Sequence, residues 1–206
     1  MENQNNNISN QGYPQQYFQE LKNAIDSLDQ EKIHKVTSVL FEAYKQSKTI
    51  FILGNGGSAS TASHLAEDWG KSTIKNFYDE KEKRFKVISL TDNVAFISAL
   101  GNDLSFEDIF VQQLGSLVNK GDVVVAISGS GNSPNIIKAV EYAEKCGAIT
   151  VGFLGRGNGG KLGPLVDYSV IVLDNHQGRI EDIHMVLGHL ITDSLRELKK
   201  REIEEI

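Results

Sequence analysis

Gly121-Asp122-Val123-Val124-Val125-Ala126-Ile127-Ser128-Gly129-Ser130-Gly131-Asn132-Ser133 decides the fold: unbroken apolar residues run straight into a loop of serine, glycine and asparagine. A strand with one wet face alternates apolar and polar residues, whereas Val123–Ile127 does not alternate and needs cover on both faces. The loop that follows opens a helix, expected over Ser133–Cys146.

Outward from this unit the same rhythm repeats. Strands are expected at Thr49–Leu53, Phe85–Leu90, Asp122–Ile127, Ile149–Leu154 and Tyr168–Leu173. Helices are expected from Ser58 to Lys71, then at Asn93–Leu100, Phe106–Val118, Ser133–Cys146 and Arg179–Lys200. Strand alternating with helix means parallel strands joined by right-handed crossovers, hence an α/β, doubly wound, three-layer αβα sandwich on a five-stranded parallel sheet. An N-terminal helical extension precedes it over residues 14–47. There apolar residues recur at Phe18, Leu21, Ile25 and Leu28, then at Ile33, Val36, Leu40 and Tyr44, with a polar break at Asp29-Gln30-Glu31 that predicts two helices. Residues 1–13 are Asn/Gln-rich and read as a disordered lead-in to one domain over 14–206.

Composition narrows the function. The 206 residues carry a net charge of −6, which speaks against a nucleic-acid surface, since that needs clustered Lys and Arg. The run Lys199-Lys200-Arg201 closes the last expected helix, where it complements the helix dipole. A single cysteine, Cys146, excludes an internal disulfide and is expected as a buried structural thiol. No apolar run approaches the ~20 residues of a membrane span, and the N-terminus lacks the basic-then-apolar layout of a secretion signal, so the expected location is the cytoplasm.

In doubly wound sheets ligands bind beyond the carboxyl ends of the strands, where the two glycine-rich loops fall. One is Gly54-Asn55-Gly56-Gly57-Ser58; the other is Ser128–Ser133. Glycines let the backbone approach a ligand, serine hydroxyls donate, and the new helix offers N–H groups at its positive end. Together these solvate a phosphate without lysine or arginine, although two tight turns with serine N-caps would read alike. Gly54-Asn55-Gly56-Gly57-Ser58-Ala59 formally fits the dinucleotide pattern, but the acidic residue expected ~20 positions on is missing. Gly70-Lys71-Ser72 resembles a P-loop tail, yet Leu65 stands where that loop needs glycine.

Two helices carry groups able to do chemistry. His64 and Asp68 are one turn apart, about 6 Å along the axis, and can hydrogen-bond, share a metal or relay a proton. The last helix carries Glu181, Asp182, His184 and His189. Glu181 and His184 have the i,i+3 spacing of carboxylate-bridged metal sites, whereas Glu181 and His189 are separated by about 12 Å of rise and about 80° of rotation. Periodicity alone does not choose between His184 and Glu181. His176 and His34 read as solvent or packing residues.

The motifs GNGGSA, HLAED, ALGNDLSFEDIF, GDVVVAISGSGNS, GNGGKLG and RIEDIHMVLGH, in this order, resemble the phosphoheptose isomerases of the sugar isomerase (SIS) superfamily over about Leu21–Leu198. The resemblance implies a flavodoxin-like sheet and aldose–ketose isomerisation of sedoheptulose 7-phosphate through an ene-diol, feeding bacterial surface-glycan synthesis. It implies a substrate pocket lined by Asn55, Gly56, Gly57, Ser58, Asn102, Asp103, Gly129 and Glu181, with the phosphate on Ser128, Ser130 and Ser133. It further implies Asp68 as base, His189 as acid, and one zinc per subunit on His64, Asp68, Glu181 and His189. A homotetramer with active sites between subunits follows from the same likeness. The family usually has glutamate at 68, glutamine at 181 and threonine at 129. Asp68 therefore reaches roughly 1.3–1.5 Å less far, and a misplacement of ~1 Å can cost ~10²-fold in rate. The alternative of another class is a non-catalytic SIS protein that binds a sugar phosphate or associates with the replication initiator.

Overall fold

The computed structural model describes residues 12–204. Two helices open it, α1 (Tyr13–Asp26) and α2 (Gln30–Lys45), separated where the sequence breaks: Asp29 caps α2 by accepting from Lys32 N–H at 3.1 Å. The expected lead-in falls mostly on residues 1–11, outside the described residues, and α1 starts at Tyr13 with Gly12 in a left-handed conformation before it. The sheet is built from β1 (Thr49–Gly54), β2 (Lys86–Ser89), β3 (Val123–Ser128), β4 (Ile149–Leu154) and β5 (Tyr168–Ile171). All neighbours are parallel, in the order β2-β1-β3-β4-β5, with β3 pairing Ile50 with Val123 on one side and Val123 with Ile149 on the other.

Both faces of the sheet are covered, as the unbroken β3 requires. Ile50, Ile52, Val123, Val125 and Ile127 face a core shared with α2, α3 (Gly57–Glu67) and α7 (Gln177–Glu204). Their neighbours Phe51, Leu53, Val124 and Ala126 face a second core closed by α5 (Val111–Leu117) and α6 (Pro134–Lys145). This is the strand period of two, with water on neither side. Each fully buried side chain of this size contributes about 1.5–3 kcal/mol. α2 spends its apolar face on this molecule's own sheet, burying Val36, Leu40, Ala43 and Tyr44. Helix α1 buries only Ala24 and leaves Phe18 66 % exposed.

Several expected boundaries shift for physical reasons. The helix after the first loop holds to Glu67 and then widens into a π-turn over Asp68–Ser72. The helix expected at Phe106–Val118 divides into a 3-10 turn, Phe106–Asp108, and α5. Asp108 is engaged there by Ser105 (2.6 Å) and Lys138 (2.5 Å), and the next residues, Ile109 and Phe110, both turn into the core. α4 (Val94–Asp103) extends past the expected Leu100, capped by Asn93, and buries none of its residues. α7 runs on to Glu204, so Lys199 is not at a helix end. It is buried, and its Nζ donates to Glu82 (2.5 Å) and to the Thr73 carbonyl (2.9 Å). Cys146, expected buried, is partly exposed. Among the described residues no helix is long and apolar enough to cross a membrane.

Candidate active site

The two glycine-rich loops lie side by side because β1 and β3 are adjacent and parallel, so both strands end at the same edge. Asn55 and Asn135 tie the loops together through a reciprocal amide pair, Asn55 Nδ2 to Asn135 Oδ1 at 2.9 Å and the reverse at 2.8 Å. Asn135 was not anticipated from sequence, since nothing in the serine and glycine pattern marks it. Between the loops is a cavity of about 90 Å³, lined by Asn55, Ser58, Ser128, Gly129, Ser130, Ser133 and Gln177.

The hydroxyl chemistry suits an anion. Ser128 Oγ accepts from Gly131 N–H at 3.0 Å and Ser130 Oγ accepts from Asn132 N–H at 3.2 Å. A hydroxyl that accepts from the backbone keeps its own hydrogen to donate elsewhere. Ser133 begins α6 yet makes no side-chain cap bond, so its hydroxyl also remains for a ligand. Gly131, at φ 63°, brings the loop against Gly159–Gly160, where a Cβ would collide with the Gly159 carbonyl. Asn102 and Asp103 are exposed at the end of α4, with Asn102 donating to Asp103 at 2.9 Å, and neither lines this cavity.

The second part of the site forms where α3 crosses α7. Gly188 lies against Leu65, and a Cβ there would overlap the leucine side chain. That close approach brings His64 Nε2 to 3.0 Å from His189 Nε2. Asp68 Oδ2 stands 3.3 Å from His64 Nε2 and 3.8 Å from His189 Nε2. Asp68 sits at the start of the π-turn, a kind of irregularity frequent at functional sites, and its other oxygen accepts from Ser72 at 3.2 Å. Two imidazole nitrogens so close need a shared proton or a shared cation. Ligand atoms about 2.0–2.1 Å from a tetrahedral zinc lie roughly 3.3 Å from one another, so the three separations fit such an ion. The side chain of Asp68 is 15 % exposed while His64 and His189 are 46 % and 55 % exposed, which leaves one side open.

Of the four expected metal ligands the structure brings His64, Asp68 and His189 together. Glu181 is held elsewhere: Oε1 accepts from Gln177 Nε2 at 2.7 Å, and a Cβ on Gly57 would lie 2.6 Å from Oε2. The open choice between Glu181 and His184 is also narrowed. His184 is wholly buried, with Nε2 3.1 Å from the Leu154 carbonyl, so the nitrogen carries the proton and donates. Burial pushes its pKa down to about 4, and the ring is a neutral core residue. His176 packs edge-on against Tyr17 and His34 is exposed, as expected of both.

The start of α7 is braced on α1. Arg179 forms a two-pronged pair with Asp174 (2.6 and 2.9 Å) and a bridge to Glu20 (2.7 Å), while Tyr17 donates to Asp182 at 2.6 Å. The Arg179 guanidinium holds the Asp174 carboxyl below its ordinary range. This bracing fixes the helix that carries Gln177, Glu181 and His189.

Comparison with known proteins identifies the family and the fold. The SIS domain family matches residues 15–155. The phosphoheptose isomerase of Aquifex aeolicus is 35% identical over 179 residues, covering 87% of this chain and 91% of that protein. That of Helicobacter pylori is 37% identical over 175 residues, 85% of this chain and 88% of its own. The solved structure of the Neisseria gonorrhoeae phosphoheptose isomerase superposes with a TM-score of 0.82 at 27% identity, covering 91% of this chain and 98% of that one. This chain belongs to the phosphoheptose isomerases of the SIS domain family.

Proposed function

On the premise of that family membership, we propose that the chain isomerises sedoheptulose 7-phosphate to an aldoheptose 7-phosphate through an ene-diol, as a step toward a surface glycan made in the bacterial cytoplasm. The observation that carries the reading is that the two helices bearing the His64–Asp68–His189 cluster, α3 and α7, both start at the phosphate-sized, hydroxyl-lined cavity, where Ser58 and Gln177 line it. One holds the inert end of the substrate; the other meets its carbonyl end.

In this reading Ser128, Ser130 and Ser133 donate to the phosphoryl oxygens, with Ser58 and the Gly56-Gly57 backbone beside them. Asp68 takes the proton from the carbon next to the carbonyl and returns it to the former carbonyl carbon. His189 gives a proton to the carbonyl oxygen as the double bond shifts, and takes one back from the neighbouring hydroxyl oxygen as that becomes the new aldehyde. Zinc, when held by His64, Asp68 and His189, would itself supply polarisation of that oxygen in place of the His189 proton, since a nitrogen bound to the metal has none to give. Glu181, kept beside Gly57, contacts the sugar and can complete the metal shell if it leaves Gln177.

The assembly we propose is a homotetramer with the sites between subunits. α4 and the residues just after it are the support for this: the helix is apolar yet has no fully buried residue, Val94 on it is 72 % exposed and Leu104 and Phe106 beyond its end are 57 % and 61 % exposed, and it carries Asn102 and Asp103. Covered by a second copy, it would bring those two residues to a neighbouring pocket.

The test is turnover of sedoheptulose 7-phosphate by the purified protein, then by Asp68→Asn and His189→Ala. Each variant should lose about 10³-fold in rate, the scale of a positioned acid or base. Unchanged rates in both would remove the assignment.

A further inference from the structure

We propose that Gln177 is a phosphate-binding residue of this site, and that Gly129 is glycine so that the Gln177 amide can enter the cavity. The inference rests on the sugar-phosphate reading above and adds a residue that no sequence pattern marks.

Gln177 is the first residue of α7, yet its side chain lines the cavity formed by Ser58, Ser128, Ser130 and Ser133. It lies directly over Gly129: a Cβ built there would stand 2.5 Å from Gln177 Nε2 and 2.8 Å from its Oε1. Real Cβ atoms are not found that close, so any other residue at 129 would push the amide out. Gln177 Nε2 donates to Glu181 Oε1 at 2.7 Å, and an amide nitrogen has two hydrogens. The second is free for a phosphoryl oxygen. The same bond keeps the Glu181 carboxylate turned to Gly57, with the amide between that negative charge and the phosphate. The glutamine thus contributes a donor and screens a carboxylate that would otherwise repel the ligand. The Arg179–Asp174 and Tyr17–Asp182 contacts hold the turn from which it projects.

The experiment is calorimetric binding of sedoheptulose 7-phosphate, and separately of inorganic phosphate, to the full chain and its variants. Gln177→Ala should weaken both ligands about tenfold, the scale of one hydrogen bond to a charged group. Gln177→Glu keeps the shape but replaces the donor by a charge, and should weaken both further. Gly129→Ala should match Gln177→Ala, and adding it to Gln177→Ala should cost nothing more, because the amide it displaces is already gone. Ser130→Ala serves as the reference for the cavity itself. If Ser130→Ala loses tenfold while Gln177→Ala stays within twofold of wild type, the role of Gln177 is overturned and the phosphate cavity stands. If neither ligand binds wild type and Ser130→Ala changes nothing, the cavity reading falls and this inference falls with it. Additive losses in the Gly129→Ala, Gln177→Ala pair would overturn the claim that the two positions act on one space.

Discussion

His184 and His189 share α7, yet one is wholly buried on the Leu154 carbonyl while the other is exposed beside His64 and Asp68. Burial lowers the His184 pKa to about 4, below the 6.5 of an unfolded chain. The unfolded state then binds more protons between these values, so stability is complete above pH 6.5 and is lost as pH falls toward 4. The full loss is on the order of 3 kcal/mol. Glu82 titrates in a different window. Burial raises its carboxyl, but hydrogen bonds from Lys199 and from the Lys75 and Asn76 backbone outweigh this and hold it at about 2, against an ordinary value of 4.5. Its contribution is present above pH 4.5 and disappears as pH falls toward 2. Urea unfolding across pH should therefore show two steps of weakening. His184→Phe should flatten the upper step alone and Glu82→Gln the lower alone; a single step insensitive to both would contradict these environments. From sequence both histidines were candidates for chemistry, because spacing records position along a helix and not which residue a neighbouring strand will cover.

At the scale of elements, the sheet and its two loops were legible in the sequence because their signals are local. Val123–Ile127 has no polar member, and each Gly-rich loop follows such a run directly. What was not legible depends on contacts far apart in the chain. Lys199 read as a helix-end charge but anchors the segment after the π-turn through Glu82 and Thr73. Gln177 read as a residue outside the last helix and proves to be its first, over Gly129. Gly188 carried no signal either, although it sets the α3–α7 approach that brings His64 to His189. Gly188→Val should push the helices apart at Leu65. Overpacking of this kind costs about 1–3 kcal/mol, and zinc affinity should fall at least tenfold as the histidines separate. A melting curve and a competitive zinc titration read the two effects. Unchanged zinc affinity in a destabilised variant would show that the crossing does not set the cluster.

For the whole molecule, a net charge of −6 and a site built on hydroxyls and backbone amides fit a small anionic ligand taken up without a basic surface. The exposed apolar side of α4 predicts association: the protein should sediment as a species larger than one chain. Val94→Asp with Phe106→Asp should shift it toward the monomer and lower turnover, since Asn102 and Asp103 lie between these two positions. A monomeric wild type with full activity would contradict shared sites. The central claim, that Asp68 moves a carbon-bound proton of a ketose phosphate, is tested most directly by incubating the protein with sedoheptulose 7-phosphate in D2O and following both sugars by NMR. Wild type should yield an aldoheptose 7-phosphate carrying deuterium at the carbon next to its carbonyl, with Asp68→Asn giving neither product nor exchange. Equal product and deuterium incorporation by wild type and Asp68→Asn would contradict it.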